Sequence, residues 1–191
     1  PSHSPFPGGN PEVPLPAEAP SRAYLKLEEA LLWSRAPLQK GDLAIEIGSA
    51  PGGASYALLQ RGLTVVGIDP GEMSPAVLEN PAFRHLQKQA GAVSRDEAPE
   101  GVQWLLLDMN TRPEIALDEF ALHFKRYKGG SLLGVILTIK LNSWSMAGEL
   151  PAILEVLRKM GLSKVRATQL PHNRQEVCVF GLTPRGLLRR S

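Results

Sequence analysis

From residue 21 onward the chain alternates short apolar runs with amphipathic stretches. Residues 22–33 carry Leu25, Leu27, Leu31 and Leu32 among charges, which predicts a surface helix opened by Ser21. Leu43–Ile47 is short, apolar and closed by Gly48, and predicts a strand. A helix-like stretch at 55–61 follows, then an apolar run at 63–68 that ends on Asp69. Residues 82–86 form a weaker strand candidate, and 102–107 a strand that ends on Asp108. Pro113 opens a helix in which Phe120, Phe124 and Tyr127 recur at helical spacing. A strand is predicted at 131–139, ending on Lys140. A helix at 147–160 sets Leu150, Ile153, Leu154 and Leu157 on one face, and Gly161 closes it. Residues 165–170 and Glu176–Leu182 read as a final strand pair around Pro171, His172 and Asn173.

Strands alternating with helices imply βαβ units and a mostly parallel sheet, here with an antiparallel addition after the last helix. In front lie seven prolines within residues 1–20, a composition that predicts an extended linker and suggests a preceding domain. The expected organisation is a linker at 1–20, one α/β domain at 21–183, and a basic tail at 184–191 carrying Arg185, Arg189 and Arg190. That tail is either solvated or set against phosphates.

Composition changes this picture little. With 191 residues, 43% of them hydrophobic and 21% charged, the chain is of ordinary globular make-up, which excludes collagen-like and wholly disordered classes. No apolar run reaches membrane-spanning length, and no secretory leader pattern opens the chain. A lone Cys178 excludes an internal disulfide and a Cys-rich zinc site. The expectation is a cytoplasmic protein without a metal. A net charge of +2 does not by itself predict a nucleic-acid partner.

The informative positions are the carboxyl ends of the strands, where open α/β sheets bind ligands. They carry Gly48, Asp69, Asp108 and Lys140. The turn Gly48-Ser49-Ala50-Pro51-Gly52-Gly53 lets backbone approach a ligand before a helix start. The dinucleotide pattern G-x-G-x-x-G is broken, because its middle glycine would fall on Ala50. Asp69, at the end of the next strand, can accept both hydroxyls of a ribose, a geometry shared by nucleoside-type cofactors such as S-adenosylmethionine. Lys26, Asp108, Lys140 and Glu176 each stand in an apolar local context. Two bases and two acids neutralise one another in a shared cleft, and such a group can tune a lysine as a general base. His85, His123 and His172 lack metal-ligand spacing. Cys178 and Trp104 read as core. Trp144, placed in a loop just after Lys140, is an aromatic candidate for substrate contact, and Trp33 another base-stacking candidate.

Several stretches together resemble the FtsJ-type ribose 2′-O-methyltransferases: Ala17-Glu-Ala-Pro-Ser-Arg-Ala-Tyr-Leu-Lys-Leu-Glu-Glu-Ala30, the glycine turn, Asp69-Pro-Gly-Glu-Met73, Leu107-Asp-Met109, Ile139-Lys-Leu141 and His172-Asn-Arg-Gln-Glu-Val177. The likeness runs from about Ala17 to about Leu182. It implies a Rossmann-like class I S-adenosylmethionine-dependent methyltransferase with a mostly parallel seven-stranded sheet, an antiparallel edge strand and helices on both faces. It also implies methylation of RNA, in the most similar branch large-subunit ribosomal RNA, and an N-terminal RNA-binding region with a THUMP domain ahead of the part present here. The resemblance makes Lys26, Asp108, Lys140 and Glu176 the catalytic tetrad. Lys140 is then the base, Asp108 orients it, Lys26 lowers its proton affinity, and Glu176 fixes Lys26 or the ribose. Gly48, Ser49, Ala50, Pro51, Gly52, Gly53, Asp69, Gln89 and Asp108 hold the cofactor. The chain departs from the family pattern at Ala54, where an aromatic is common, and at Gln89, where an acid meets the adenine. It departs from the nearest branch at Ala50, where that branch has Cys, and at Asn142, where it has Pro. A methyltransferase acting on another acceptor, and a non-catalytic RNA-binding or assembly module on the same fold, are the alternatives.

Overall fold

The computed structural model describes residues 12–141 and 144–190; within this range the side chains of 144–147 are left aside. The chain runs α1 (Ala23–Ser34), β1 (Leu43–Ile47), α2 (Gly53–Gln60), β2 (Thr64–Ile68), α3 (Pro75–Leu78), β3 (Phe83–Leu86), β4 (Trp104–Leu107), α4 (Pro113–Tyr127), β5 (Gly134–Lys140), α5 (Trp144–Lys159), β6 (Lys164–Thr168), β7 (Glu176–Leu182) and α6 (Pro184–Arg190). The seven strands are ordered β3-β2-β1-β4-β5-β7-β6. All pairings are parallel except those of β7 with β5 and with β6. This is the expected mostly parallel sheet with its antiparallel part at one edge; β7 is the reversed strand and β6 flanks it.

Alternation within the strands builds the two layers. Ile45, Ile47, Leu105, Val135 and Leu137 face a core closed by Phe120 and Phe124 of α4 and Leu157 of α5. Ala44, Val65, Trp104, Leu106, Ile136, Cys178 and Phe180 face the other way, against Leu27 and Ala30 of α1 and Ala57 and Leu58 of α2. Chain order reverses between β1 and β4, which opens the crevice where such sheets bind ligands.

Departures from the predicted elements have local causes. β5 includes Lys140, because its pairing with β7 continues to the pair Lys140–Glu176 and Leu141 N–H donates to the Gln175 carbonyl (2.7 Å). β6 stops at Thr168, two residues early, because the Gln169 amide and the Asn173 side chain take over the bonding there. α5 begins at Trp144 rather than 147, so Trp144 opens a helix instead of lying in a loop; its side chain is outside the described set. The basic tail is not a free segment. Residues 184–190 form α6, in which Gly186 packs on the Leu133 carbonyl and Arg189 pairs with Asp42 (2.9 Å). The linker expected at 1–20 lies partly outside the described residues, and 12–20 have neither helix nor strand.

Candidate active site

The crevice is made by the ends of β1 and β4. Gly48 follows β1 with φ +80°, a left-handed conformation that favours glycine. A Cβ there would run into the Asp108 carbonyl, so glycine lets the two strand ends close on each other. Gly52 (φ +113°) is held by close neighbours too: a Cβ would stand 2.7 Å from Val77 Cγ2. At Gly53, the first residue of α2, a Cβ would press on Ser21. The sequence assigns these glycines to ligand approach; in the structure they also serve the chain's own packing.

Asp69 ties this turn to the end of β2. Its carboxylate accepts from Ala50 N–H (3.1 Å) and from Gly71 N–H (2.7 Å). An ionised carboxylate offers about four acceptor positions, so it retains capacity for ribose hydroxyls. Ser49 is buried with its hydroxyl against Met73 Sδ (3.6 Å), and Ala50 and Pro51 complete the turn. Gln89 lies after β3, exposed at the start of a short 3₁₀ turn, on the same side of the sheet as Asp69. Gly48 to Gly53, Asp69 and Gln89 thus line one end of the sheet, as a nucleoside-type cofactor requires.

On the other side of the crevice the four charged residues converge from four segments. Lys26, on α1, places its ammonium 2.7 Å from Glu176 Oε2 and 3.3 Å from Asp108 Oδ2. Burial works to lower the proton affinity of Lys26, but Asp108 and Glu176 outweigh it and hold the ammonium protonated above its usual range. Burial pushes the Asp108 carboxyl up; Lys26 counters this, Glu176 adds to it, and Lys140 counters it further. Lys140 sits opposite Glu176 in the β5–β7 register. Its ammonium hydrogen-bonds the Asn110 side chain rather than Asp108, which differs from the expected orientation by Asp108. Three members therefore form one ion-paired group, and Lys140 stands beside it.

Sequence reasoning missed three contributors. Asn110 lies two residues past Asp108 and holds Lys140. Glu46, buried on β1 beneath the site, accepts from the Ser55 hydroxyl; burial, with Asp108 contributing, pushes its carboxyl up to about 8. An acid inside the apolar run of β1 was the available signal. Glu29 on α1, also buried, accepts from His172 N–H (3.0 Å) and bonds its ring (2.5 Å). The other singled-out residues are spent on the fold. His85 bonds the Asp69 carbonyl (3.0 Å) and the buried His123 the Ala90 carbonyl (3.1 Å). Trp33 is stacked under Arg166, and Trp104 is buried with its N–H on Asp42 (2.9 Å). Cys178 is a buried thiol pushed up to about 12 by burial first and by Asp108 second. Among the described residues no cluster of ligating side chains suits a metal, and no helix is long and apolar enough to cross a membrane.

Comparison with known proteins now gives the class. Residues 19–141 match the model of the FtsJ-like methyltransferases, and the chain belongs to that family. Among curated relatives, the Ribosomal RNA large subunit methyltransferase M of Alkalilimnicola ehrlichii is 32% identical over 96% of this chain and 51% of its own length. The protein of the same name from Tolumonas auensis is 32% identical over 99% of this chain and 53% of its own length. The chain thus spans about half the length of the curated relatives it matches. The fold is shared with a Plasmodium falciparum chain described as a ribosomal RNA methyltransferase (TM-score 0.67, 17% identity, 86% of this chain and 97% of that one). It is shared as well with magnesium protoporphyrin IX methyltransferase of Synechocystis, solved with S-adenosylmethionine bound (TM-score 0.60, 13% identity, 84% and 79%). S-adenosylmethionine is the cofactor of this family, and the turn at Gly48 with the Asp69 carboxylate has polar groups that suit it.

Proposed function

We propose that the protein transfers a methyl group from S-adenosylmethionine to a ribose 2′-oxygen of RNA, with large-subunit ribosomal RNA as the substrate. The observation that carries this reading is the meeting of Lys26, Asp108 and Glu176 in one ion-paired group with Lys140 in register beside it. Two lysines and two carboxylates around one crevice suit an acceptor that must lose a proton and is flanked by negative charge. The likeness to named ribosomal RNA methyltransferases supports the substrate class.

When bound, S-adenosylmethionine would supply an electrophilic methyl group to the ribose oxygen, with S-adenosylhomocysteine as the leaving group. Asp69 and the turn from Gly48 to Gly53 would hold its nucleoside and methionine ends, and Gln89 would meet the adenine. Lys140 Nζ, as the neutral amine, takes the 2′-hydroxyl proton and becomes the ammonium. Asp108 stands between the cofactor side and Lys26, where its negative charge faces a cationic donor. Lys26, kept charged by Asp108 and Glu176, steadies the developing alkoxide. Glu176 holds Lys26. Positioning supplies much of the rate, since a ribose hydroxyl is a weak acid.

The test is Lys140→Ala. A general base contributes typically about 10²- to 10⁴-fold. The variant is expected to lose RNA methylation by that order while its calorimetric affinity for S-adenosylmethionine stays within about twofold. Methylation at the wild-type rate would remove Lys140 from the reaction.

A further inference from the structure

A cleft of about 420 Å³ opens beside the ion-paired group, lined by Lys140, Arg174, Gln175 and Glu176. Lys140 and Glu176 belong to the proposed reaction; Arg174 has no part in it so far. Its backbone is clamped from both sides. Gln169 donates its amide N–H groups to the carbonyls of Asn173 (3.2 Å) and Arg174 (2.6 Å). The buried Asn173 bonds Leu170 through its N–H (2.9 Å) and its side-chain oxygen (3.3 Å). Glu29, buried, anchors His172, and Leu141 N–H fixes the Gln175 carbonyl. These bonds tie the seven residues between β6 and β7 to one another, to β5 and to α1. Yet the Arg174 side chain at the turn's crest is exposed, and among the described residues its guanidinium makes no hydrogen bond or ion pair.

A hydrogen-bonded turn that presents an exposed, unpaired guanidinium beside a cleft suits an anion. The fork of an arginine matches the paired oxygens of a phosphodiester. We infer that Arg174 grips the RNA phosphate adjoining the target ribose and so seats the 2′-hydroxyl against Lys140. This rests on the ribose-methylation reading above. A free hydroxyl compound or nucleoside without that phosphate lacks the anchor.

The experiment measures steady-state methylation of large-subunit ribosomal RNA transcribed in vitro, by the wild-type chain, Arg174→Ala and Arg174→Lys, across a salt series. Arg174→Ala is expected to raise KM for RNA about tenfold and to reduce the slope of log affinity against log salt by about one phosphate's worth. It should leave cofactor affinity and melting temperature unchanged, because the guanidinium makes no hydrogen bond or ion pair among the described residues, while any fall in kcat stays smaller than the rise in KM. Arg174→Lys should recover the salt slope, which counts charge, but only part of the KM, because a lysine cannot make the paired contact. Unchanged KM and slope in Arg174→Ala, with an active wild type, overturns this inference alone. A wild-type chain that leaves the RNA unmethylated while binding S-adenosylmethionine overturns the parent reading, and this inference with it.

Discussion

The two sides of the crevice are built from different materials. The cofactor side is backbone: a glycine turn, the N–H groups of Ala50 and Gly71, and one carboxylate, Asp69, that those groups aim. The acceptor side is side chains: Lys26 from a helix, Asp108 after β4, Lys140 at the end of β5 and Glu176 at the start of β7, joined by charge. A loop motif places its parts by local geometry. A tetrad placed by four distant segments depends on the register of the whole sheet. The two sides should therefore fail in different ways when single groups are removed.

The Lys140→Ala variant loses turnover and keeps the cofactor, as stated above; the cofactor side should give the mirror image. Asp69→Ala removes the acceptor of two backbone N–H groups and, in the proposed reaction, of the ribose hydroxyls. Hydrogen bonds to a charged group contribute about 1.5–3 kcal/mol each, so S-adenosylmethionine affinity should fall at least tenfold. Turnover at saturating cofactor should change far less. Equal loss of turnover in both variants under saturating cofactor would erase the distinction.

A smaller effect separates the site from the fold beneath it. Glu46 is buried with its carboxyl pushed up to about 8 from an ordinary 4.5. Between these two values the folded protein keeps the proton that the unfolded chain releases, so this residue costs stability progressively as pH rises, and the cost levels off above about 8. Glu46→Gln, which still accepts from Ser55, should melt close to wild type at pH 4.5 and a few degrees higher at pH 8. A melting difference that shrinks with rising pH would show that Glu46 is ionised in the fold and held by charge instead.

The same contrast explains what was legible in the sequence. The cofactor side was readable because it is contiguous: Gly48 to Gly53 stand together, and Asp69 ends the next strand. The strands around it were readable from short apolar runs ending in polar residues. The acceptor tetrad was visible only as four charges in apolar settings, and assigning each its role needed the family resemblance. Its finer pairing was not readable. Nothing local says that Lys140 bonds Asn110 while Asp108 bonds Lys26, because that choice depends on side-chain directions across β4, β5 and α1. The tail at 184–190 was misjudged for a related reason. Its arginines look like a solvated charge run, but Gly186 gives a close seat on Leu133, and Asp42, far away in sequence, claims Arg189. The turn at 169–175 gave no sign of its tie to the distant Glu29 on α1.

The most direct test of the account is where the methyl group goes. Large-subunit ribosomal RNA transcribed in vitro is incubated with the chain and isotope-labelled S-adenosylmethionine, then digested to nucleosides and analysed by mass spectrometry. The proposed reaction puts label on a ribose 2′-oxygen, within a linkage that resists alkali, and none on free nucleosides incubated in parallel. Label on a base, or on the free nucleosides as readily as on RNA, would contradict it.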